Sequence, residues 1–397
     1  MKPRSRPARG QRGFSLLELM IAVIIGMFSV LVILQVLGNT ATSRRIAVAG
    51  GDAQLNGLAA VRAMTLDVEH AGLGLQSFNI SGCSVSYTTS SDGASVTLPL
   101  APVTINPATS LVPAGDANTD TLLVVSGNSG SPSEGDAVTS ATASTAYVVT
   151  TPASFIANDR VVVAPATRAA TCALQLATVG GVSGSVLTVS NGSSGLPSGS
   201  IVYNLGGTPT VRAYAVRNGD LTVCDYLAYN CGSSTYTSTV TPSVWVPVAN
   251  NIASLRAQYA RDTSGISGST STMDGIVDTY DQATPGSVAA VTIPLYCQWA
   301  RVVGIRAAVV GRGQQYDKTL SYTGTSNAST AKSVLPLPVW DGSSTGTLNP
   351  TAVPITLSSG IADWDRYRYV VSQTTIPLRN AIWQGSQPAY QGGSGGC

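Results

Sequence analysis

RGFSLLELMIAVIIGM, residues 12–27, sets an arginine and a glycine against a membrane-grade apolar run and keeps a glutamate, Glu18, near the start of that run. On its N-terminal side stand Lys2, Arg4, Arg6, Arg9 and Arg12, with no acid in residues 1–13. A basic flank of this kind stays on the cytoplasmic side of a bilayer. On its C-terminal side no charged residue occurs from Leu19 to Ser43, enough helix to cross a hydrocarbon core of roughly 30 Å. A cleavable secretory signal wants a shorter apolar core followed closely by a small-x-small site. The one tempting triplet, Ala47-Val48-Ala49, lies beyond Arg44 and Arg45. A plain single-pass anchor fits the length but gives Glu18 no purpose. An acid at the centre of such a helix costs about 2.5–3.5 kcal/mol; near the end it costs less, yet it still needs a partner.

Gly13-Phe14-Ser15-Leu16-Leu17-Glu18-Leu19-Met20 resembles the N-terminal processing motif of type IV pilins and of type II secretion pseudopilins. The resemblance implies that a prepilin peptidase cuts between Gly13 and Phe14 and N-methylates the new terminal Phe14. Glu18 then becomes the fifth mature residue, expected to pair with the terminal ammonium of a neighbouring subunit. Two such charges neutralise each other in lipid or in a dry filament core.

Beyond the membrane run, Leu55, Leu58, Val61, Met64 and Val68 recur at three- and four-residue spacing, an apolar stripe suited to a sheet or to another subunit. Gly50-Gly51 is a place for the helix to bend or break, with Asp52 as a cap for a restart. Gly72 and Gly74 are stop signals, and His70 stands in the last turn, where a cation-capable side chain is favourable. A helix from Phe14 to His70 spans about 85 Å at 1.5 Å per residue.

After Leu75 the texture changes. The 41 glycines and 21 prolines, with abundant Ser, Thr and Val, point to many short strands joined by turns. Residues 121–125, 160–163, 211–216, 302–306 and 367–371 read as strands, and 126–136 and 191–200 as loops. No repeat of fixed period and no strong internal boundary stands out. The expected fold is α+β: a long N-terminal transmembrane and stalk helix packed on a β-rich, mainly antiparallel, pilin-like globular domain. The expected division is a basic leader at 1–13, the helix at 14–72, and a periplasmic domain at 73–397. Gly/Ser-rich residues 80–240 would supply enlarged loops or an inserted subdomain.

Six stretches resemble the PilW group of minor pilins in order and spacing: AVRAMTLDVEHAGLG (60–74), DTLLVV (120–125), WVPVANNIASLRAQYARD (245–262), DGIVDTY (274–280), WARVVGIRAAVVGR (299–312) and DRYRYVVSQTTIPLRN (365–380). Each is loose by itself; the N-terminal motif is the sharp one. The resemblance implies a minor pilin that helps to initiate and cap a type IV pilus. Its expected partners are the prepilin peptidase, other minor pilins, the major pilin and the inner membrane, with the globular part periplasmic. The helix stripe Leu55, Leu58, Val61 and Met64 is the expected docking surface. The type II secretion pseudopilin, a pilus-tip adhesin using 80–240, and a membrane-tethered periplasmic hydrolase are the alternatives.

In a periplasmic domain the six cysteines form disulfides. Cys224 and Cys231 are close enough to close a hairpin-like loop. Cys83, Cys172, Cys297 and Cys397 leave three pairings open, and Cys397, in QGGSGGC, could stay unpaired. No C-x2-C occurs, so no zinc site is expected. Asp262, Asp274, Asp278 and Asp281 flank a Gly/Ser-rich loop somewhat as calcium ligands do. They lack the full D-x-[DN]-x-[DN]-G pattern, and a solvated turn is the expectation. Charged residues make up 11% of the chain and the net charge is +2, so there is no broad basic field for nucleic acid. The single histidine, His70, sits at the helix end, which leaves a Ser-His-Asp triad without a base. No cofactor motif and no G-x-S-x-G, Walker A or H-E-x-x-H occurs. Assembly, not catalysis, is the expected mechanism.

Overall fold

The computed structural model describes residues 15–169, 171–236, 244–264, 273–287, 293–342, 353–357 and 362–381. The chain divides into two units, residues 1–49 and 50–397. Helix α1, Leu16–His70, is unbroken. It passes through Gly50 and Gly51, where sequence reasoning expects a bend. Neither glycine has positive φ, and a Cβ built on either meets nothing within 4 Å. Two glycines weaken a helix by about 1 kcal/mol each relative to alanine but do not interrupt its hydrogen bonds as proline would. Gly50→Ala and Gly51→Ala should therefore each slow amide exchange around residue 50 about fivefold, the equivalent of about 1 kcal/mol. Unchanged or faster exchange would mean that the helix opens there in solution.

In the second unit the helix lies on two antiparallel sheets. One has the order β13-β12-β11-β4-β3, from β3 (Val103–Ile105), β4 (Leu122–Ser126), β11 (Thr210–Arg217), β12 (Asp220–Asp225) and β13 (Val246–Ala249). The other has the order β15-β14-β16-β21, from β14 (Ile252–Arg261), β15 (Thr279–Asp281), β16 (Val302–Arg312) and β21 (Tyr369–Pro377). Alternate residues of both sheets, such as Val124, Tyr214, Leu255, Tyr259, Ile305 and Val309, close over Ala60, Met64 and Val68. Both central strands are buried on their two faces. Leu123, Val125, Ala213 and Ala215 turn to a second core containing Leu75, Ile80 and Tyr87. Ala308 and Val310 turn to Trp340, Ile355 and Leu357. This is why VVGIRAAVVGR reads as a continuous apolar run and not as an alternation. Its Arg306 is accommodated by lying 3.3 Å over the Tyr280 ring and donating to the Asp341 carbonyl at 2.6 Å.

Between β4 and β11, which are hydrogen-bonded neighbours, the chain leaves the sheet and builds a separate structure. Strands β5 (Asp136–Ala143), β6 (Ala146–Val149), β7 (Arg160–Ala164), β8 (Ala173–Ser183), β9 (Val186–Ser190) and β10 (Ile201–Gly206) pair antiparallel in the ring β8-β7-β10-β5-β6-β9-β8. The ring closes into a six-stranded barrel whose interior holds Tyr147, Phe155, Val161, Val179, Leu187 and Val202. The hairpin of β1 (Ser84–Thr88) and β2 (Ser95–Pro99) extends it through a parallel pairing of β1 with β8. Composition suggests enlarged loops or an inserted subdomain here; the structure has a barrel with its own core. On β5 and β9 the exposed Thr139, Ser140, Thr188 and Ser190 interrupt the apolar residues, whereas Val162, Leu176 and Tyr203 turn outward to the second core.

Two disulfides lie among the described residues, Cys83–Cys172 and Cys224–Cys231. Cys297 is also disulfide-bonded, and Cys397 lies outside the described residues. Cys83–Cys172 spans 89 residues and ties the segment after the helix to the barrel. A loop of that length restricts the unfolded chain by about 4–5 kcal/mol, against about 2 kcal/mol for the seven-residue separation of Cys224 and Cys231.

Candidate functional site: the N-terminal helix and its seam

Gly13 and Phe14 lie outside the described residues. Glu18 stands in the first turn of α1. The Ser15 hydroxyl accepts from the Leu17 amide at 3.3 Å, and the Ser15 carbonyl from the Leu19 amide at 3.1 Å. An acid at this end of a helix is favoured by the dipole. From Leu19 to Leu37 the large apolar side chains are exposed. Ser29 in this run and Thr40 just beyond it are satisfied within the helix, on the Ile25 carbonyl at 2.9 Å and the Leu37 carbonyl at 3.0 Å. The helix thus presents to its surroundings a surface that suits hydrocarbon or other apolar helices. Among the described residues it is the one helix long and apolar enough to cross a membrane.

In the second unit the same helix is held by a different face from the one that the large aliphatics mark. Ala53, Gly57, Ala60, Met64, Val68 and Ala71 are buried, at spacings of four, three, four, four and three, the period of one helix face. Leu55 and Leu58, at 67% and 50% exposed, point away from the sheets. Val61 is partly buried against the core and Met64 is fully enclosed. Met64 is therefore no docking residue; of the expected stripe only Leu55 and Leu58 remain open to a partner. The sequence signal missed here is a row of small residues. A Cβ on Gly311 would stand 2.0 Å from the Ala53 carbonyl, and one on Gly57 would stand 2.6 Å from the Ser372 hydroxyl. The helix backbone rests on the strand backbone, and only glycine permits that approach.

The helix end is fixed by polar contacts. The His70 carbonyl accepts from the Ser126 hydroxyl at 2.7 Å and the Asn380 amide at 3.0 Å. The Gly72 amide donates to the Val125 carbonyl at 2.9 Å, and Gly72 (φ 81°) and Gly74 (φ 78°) take the left-handed conformation that stops a helix. One turn earlier Asp67 receives Arg212 at 2.9 Å and the Tyr214 hydroxyl at 2.5 Å. The Ser126 hydroxyl thus meets the backbone carbonyl of His70 and not its ring.

The acidic loop is a clasp. Asp262, fully buried, accepts the Ser264 amide at 2.9 Å and the Gly275 amide at 2.7 Å. Arg301 donates to the Asp262 and Ser264 carbonyls at 3.2 and 2.7 Å. Asp278 accepts the Thr263 amide at 2.7 Å and the Thr263 and Ser264 hydroxyls at 3.2 Å each. The Thr263 amide holds its carboxyl below the usual range, against the opposing effect of burial. Asp274 closes a turn on the Ile276 amide at 2.8 Å, and Asp281 pairs with Arg261 at 2.7 Å. These carboxylates are spent on backbone amides and arginines. Among the described residues no three His, Cys, Asp or Glu side chains are grouped to hold a metal ion.

Residues 8–34 match the family model described as the prokaryotic N-terminal methylation motif, and residues 214–380 match that of type IV pilus-assembly protein W, PilW. These two matches support a PilW-like minor pilin of the type IV pilus. No curated protein and no solved structure matches it. The PilW match runs from within β11 through β21 to Asn380, the residue that seals the helix end. The barrel lies wholly outside it. The methylation motif and the apolar helix point to membrane anchoring, processing by a prepilin peptidase and assembly with other pilins.

Proposed function

We propose that this pilin enters the inner membrane with residues 1–13 in the cytoplasm and its β-rich part in the periplasm. It is cut between Gly13 and Phe14, and it joins other minor pilins and the major pilin to initiate and cap the pilus. The observation that carries this reading is the exposed, charge-free helix surface from Leu19 to Leu37 behind a first-turn Glu18. A lone copy leaving the bilayer would expose that surface to water at about 25 cal/mol per Å². Neighbouring pilin helices have to cover it as the subunit is extracted. The mechanism is therefore assembly. Leu55 and Leu58, left open by the chain's own packing, offer a neighbouring subunit a further apolar contact.

Mass analysis of the mature chain tests the first step. The expected terminus is N-methyl-Phe14, and Gly13→Ala should leave the leader attached to a membrane-bound precursor. Deleting the gene should then cut the number of pili per cell at least about tenfold, with the remaining pilins still inserted. An unprocessed Met1 terminus in cells with an active peptidase, or full piliation without the gene, would overturn the reading.

A further inference from the structure

The barrel leaves and rejoins the pilin sheet through two crossings, residues 127–135 and 207–209, and between these crossings and the residue 153–159 turn lies a cleft of about 460 Å³. That volume is within the range of about 300–1,000 Å³ typical of small-molecule sites. Two side chains at its base are almost fully buried, Asp159 at 4% exposed and Asn204 at 6%. The Asn204 amide nitrogen donates to Asp159 Oδ2 at 2.7 Å, to the Ser154 carbonyl at 2.8 Å and to the Ser131 hydroxyl at 3.2 Å. Asp159 Oδ2 also accepts the Ile156 amide at 2.9 Å. One carboxylate oxygen is thereby fixed. The other, Oδ1, accepts no hydrogen bond from the described residues and lies 3.8 Å from where a Cβ on Gly207 would stand. One acceptor of an otherwise buried side chain is thus left open beside a residue with no side chain.

We propose that this cleft binds a neutral saccharide. Its walls are hydroxyl, amide and backbone groups from Asn128, Ser129, Ser131 and Gly130, and they match a ligand rich in hydroxyl donors and acceptors. Asp159 is the only charged lining residue, so anionic sugars, phosphates and nucleic acid are repelled and not recruited. Ile156, 69% exposed, stands with Pro132 as an apolar wall for the C–H face of a sugar ring. A peptide would find no apolar pocket for an anchoring side chain. The surrounding barrel agrees in character, since residues 127–206 carry no charges besides Glu134, Asp136, Asp159, Arg160 and Arg168. The proposal rests on the pilin reading only for where the cleft is displayed, at a cell or pilus surface.

Gly207 makes the test clean. Its φ is not positive, and within 4 Å a Cβ there would meet only the Asn158 carbonyl and Asp159 Oδ1, both at 3.8 Å. Gly207→Trp should fold normally and fill the cleft. The full processed chain, in a detergent without a sugar headgroup, is titrated with cellobiose, maltose, lactose and chitobiose, and with digalacturonate as the anionic control, by saturation-transfer NMR. At least one neutral disaccharide should bind at or below about 10 mM, digalacturonate should not, and both Gly207→Trp and Asp159→Asn should weaken binding at least about tenfold. An unchanged thermal midpoint for Gly207→Trp assigns its loss to blockage. No binding by any neutral disaccharide, equal binding of digalacturonate, or undiminished binding by folded Gly207→Trp would overturn the proposal. Pilus number does not enter this readout, so its failure leaves the assembly reading standing.

Discussion

Asp120→Ala is expected to destabilise the pilin by about 3–4 kcal/mol, a large share of the stability of a domain of this kind. Asp120 stands just before β4, 4% exposed, where the two sheets under the helix meet. Its carboxylate accepts the Ala257 amide at 2.8 Å, the Gln282 side chain at 2.8 Å and the Asn106 side chain at 3.0 Å, with Arg256 at 3.4 Å. Its own amide donates to the Leu255 carbonyl at 2.7 Å. Alanine would leave the buried Ala257 amide and two side-chain amides without their acceptor at once. Arg256 is about a third exposed and can turn to solvent, so its share of the loss is the smaller one. Denaturant unfolding of the full chain should show the midpoint falling with little change in slope. Asp120→Asn, which keeps one acceptor for Ala257, should lose less than half as much. A midpoint within about 1 kcal/mol of the wild type for the alanine variant would show that the sheets are held by apolar packing alone.

The sequence stretch that contains Asp120, DTLLVV, reads as a strand, and the residues of the buried sheets are legible for a simple reason. A strand covered on both faces, such as β16, is an unbroken apolar run, and the N-terminal helix is a charge-free one. The helix seam was not legible in the same way. Ala53, Gly57, Ala60 and Gly311 act through their lack of size, and hydrophobic patterning gives weight to Leu55 and Leu58, which point outward. The barrel was hidden by composition. Strands such as VLTVS and DAVTSATA are rich in polar residues and set among Gly and Ser that read as loop. Their closure depends on the pairing of β8 with β9 and of β10 with β5, which period and propensity do not encode. The cleft is further still from the sequence, because Asn128, Asp159 and Asn204 come from three separated segments.

Glu18→Ala should leave insertion and cleavage intact and remove most assembly. In the membrane the substitution is favourable, since it takes a carboxylate away from the edge of an apolar helix, where such a group costs up to about 2.5–3.5 kcal/mol with depth. The helix loses only a first-turn charge–dipole interaction of about 0.3–1 kcal/mol. The processed variant should therefore accumulate in the membrane at or above the wild-type level. In the filament the balance reverses. On the proposed reading, cleavage before Phe14 creates an ammonium to be buried among apolar helices, and the carboxylate four residues on is the counter-charge that a neighbouring subunit would supply. Truncating one member of a buried pair costs about 3–5 kcal/mol because the other is left uncompensated, which corresponds to a loss of more than about a hundredfold in incorporation. The ratio of subunit in sheared pili to processed subunit in the membrane measures this directly. Glu18→Asp, with the same charge on a shorter stem, should fall between the wild type and alanine. Were the alanine variant to reach the filament at the wild-type ratio, the terminal ammonium would have to be neutralised by another group, and Glu18 would not set the axial position of this pilin.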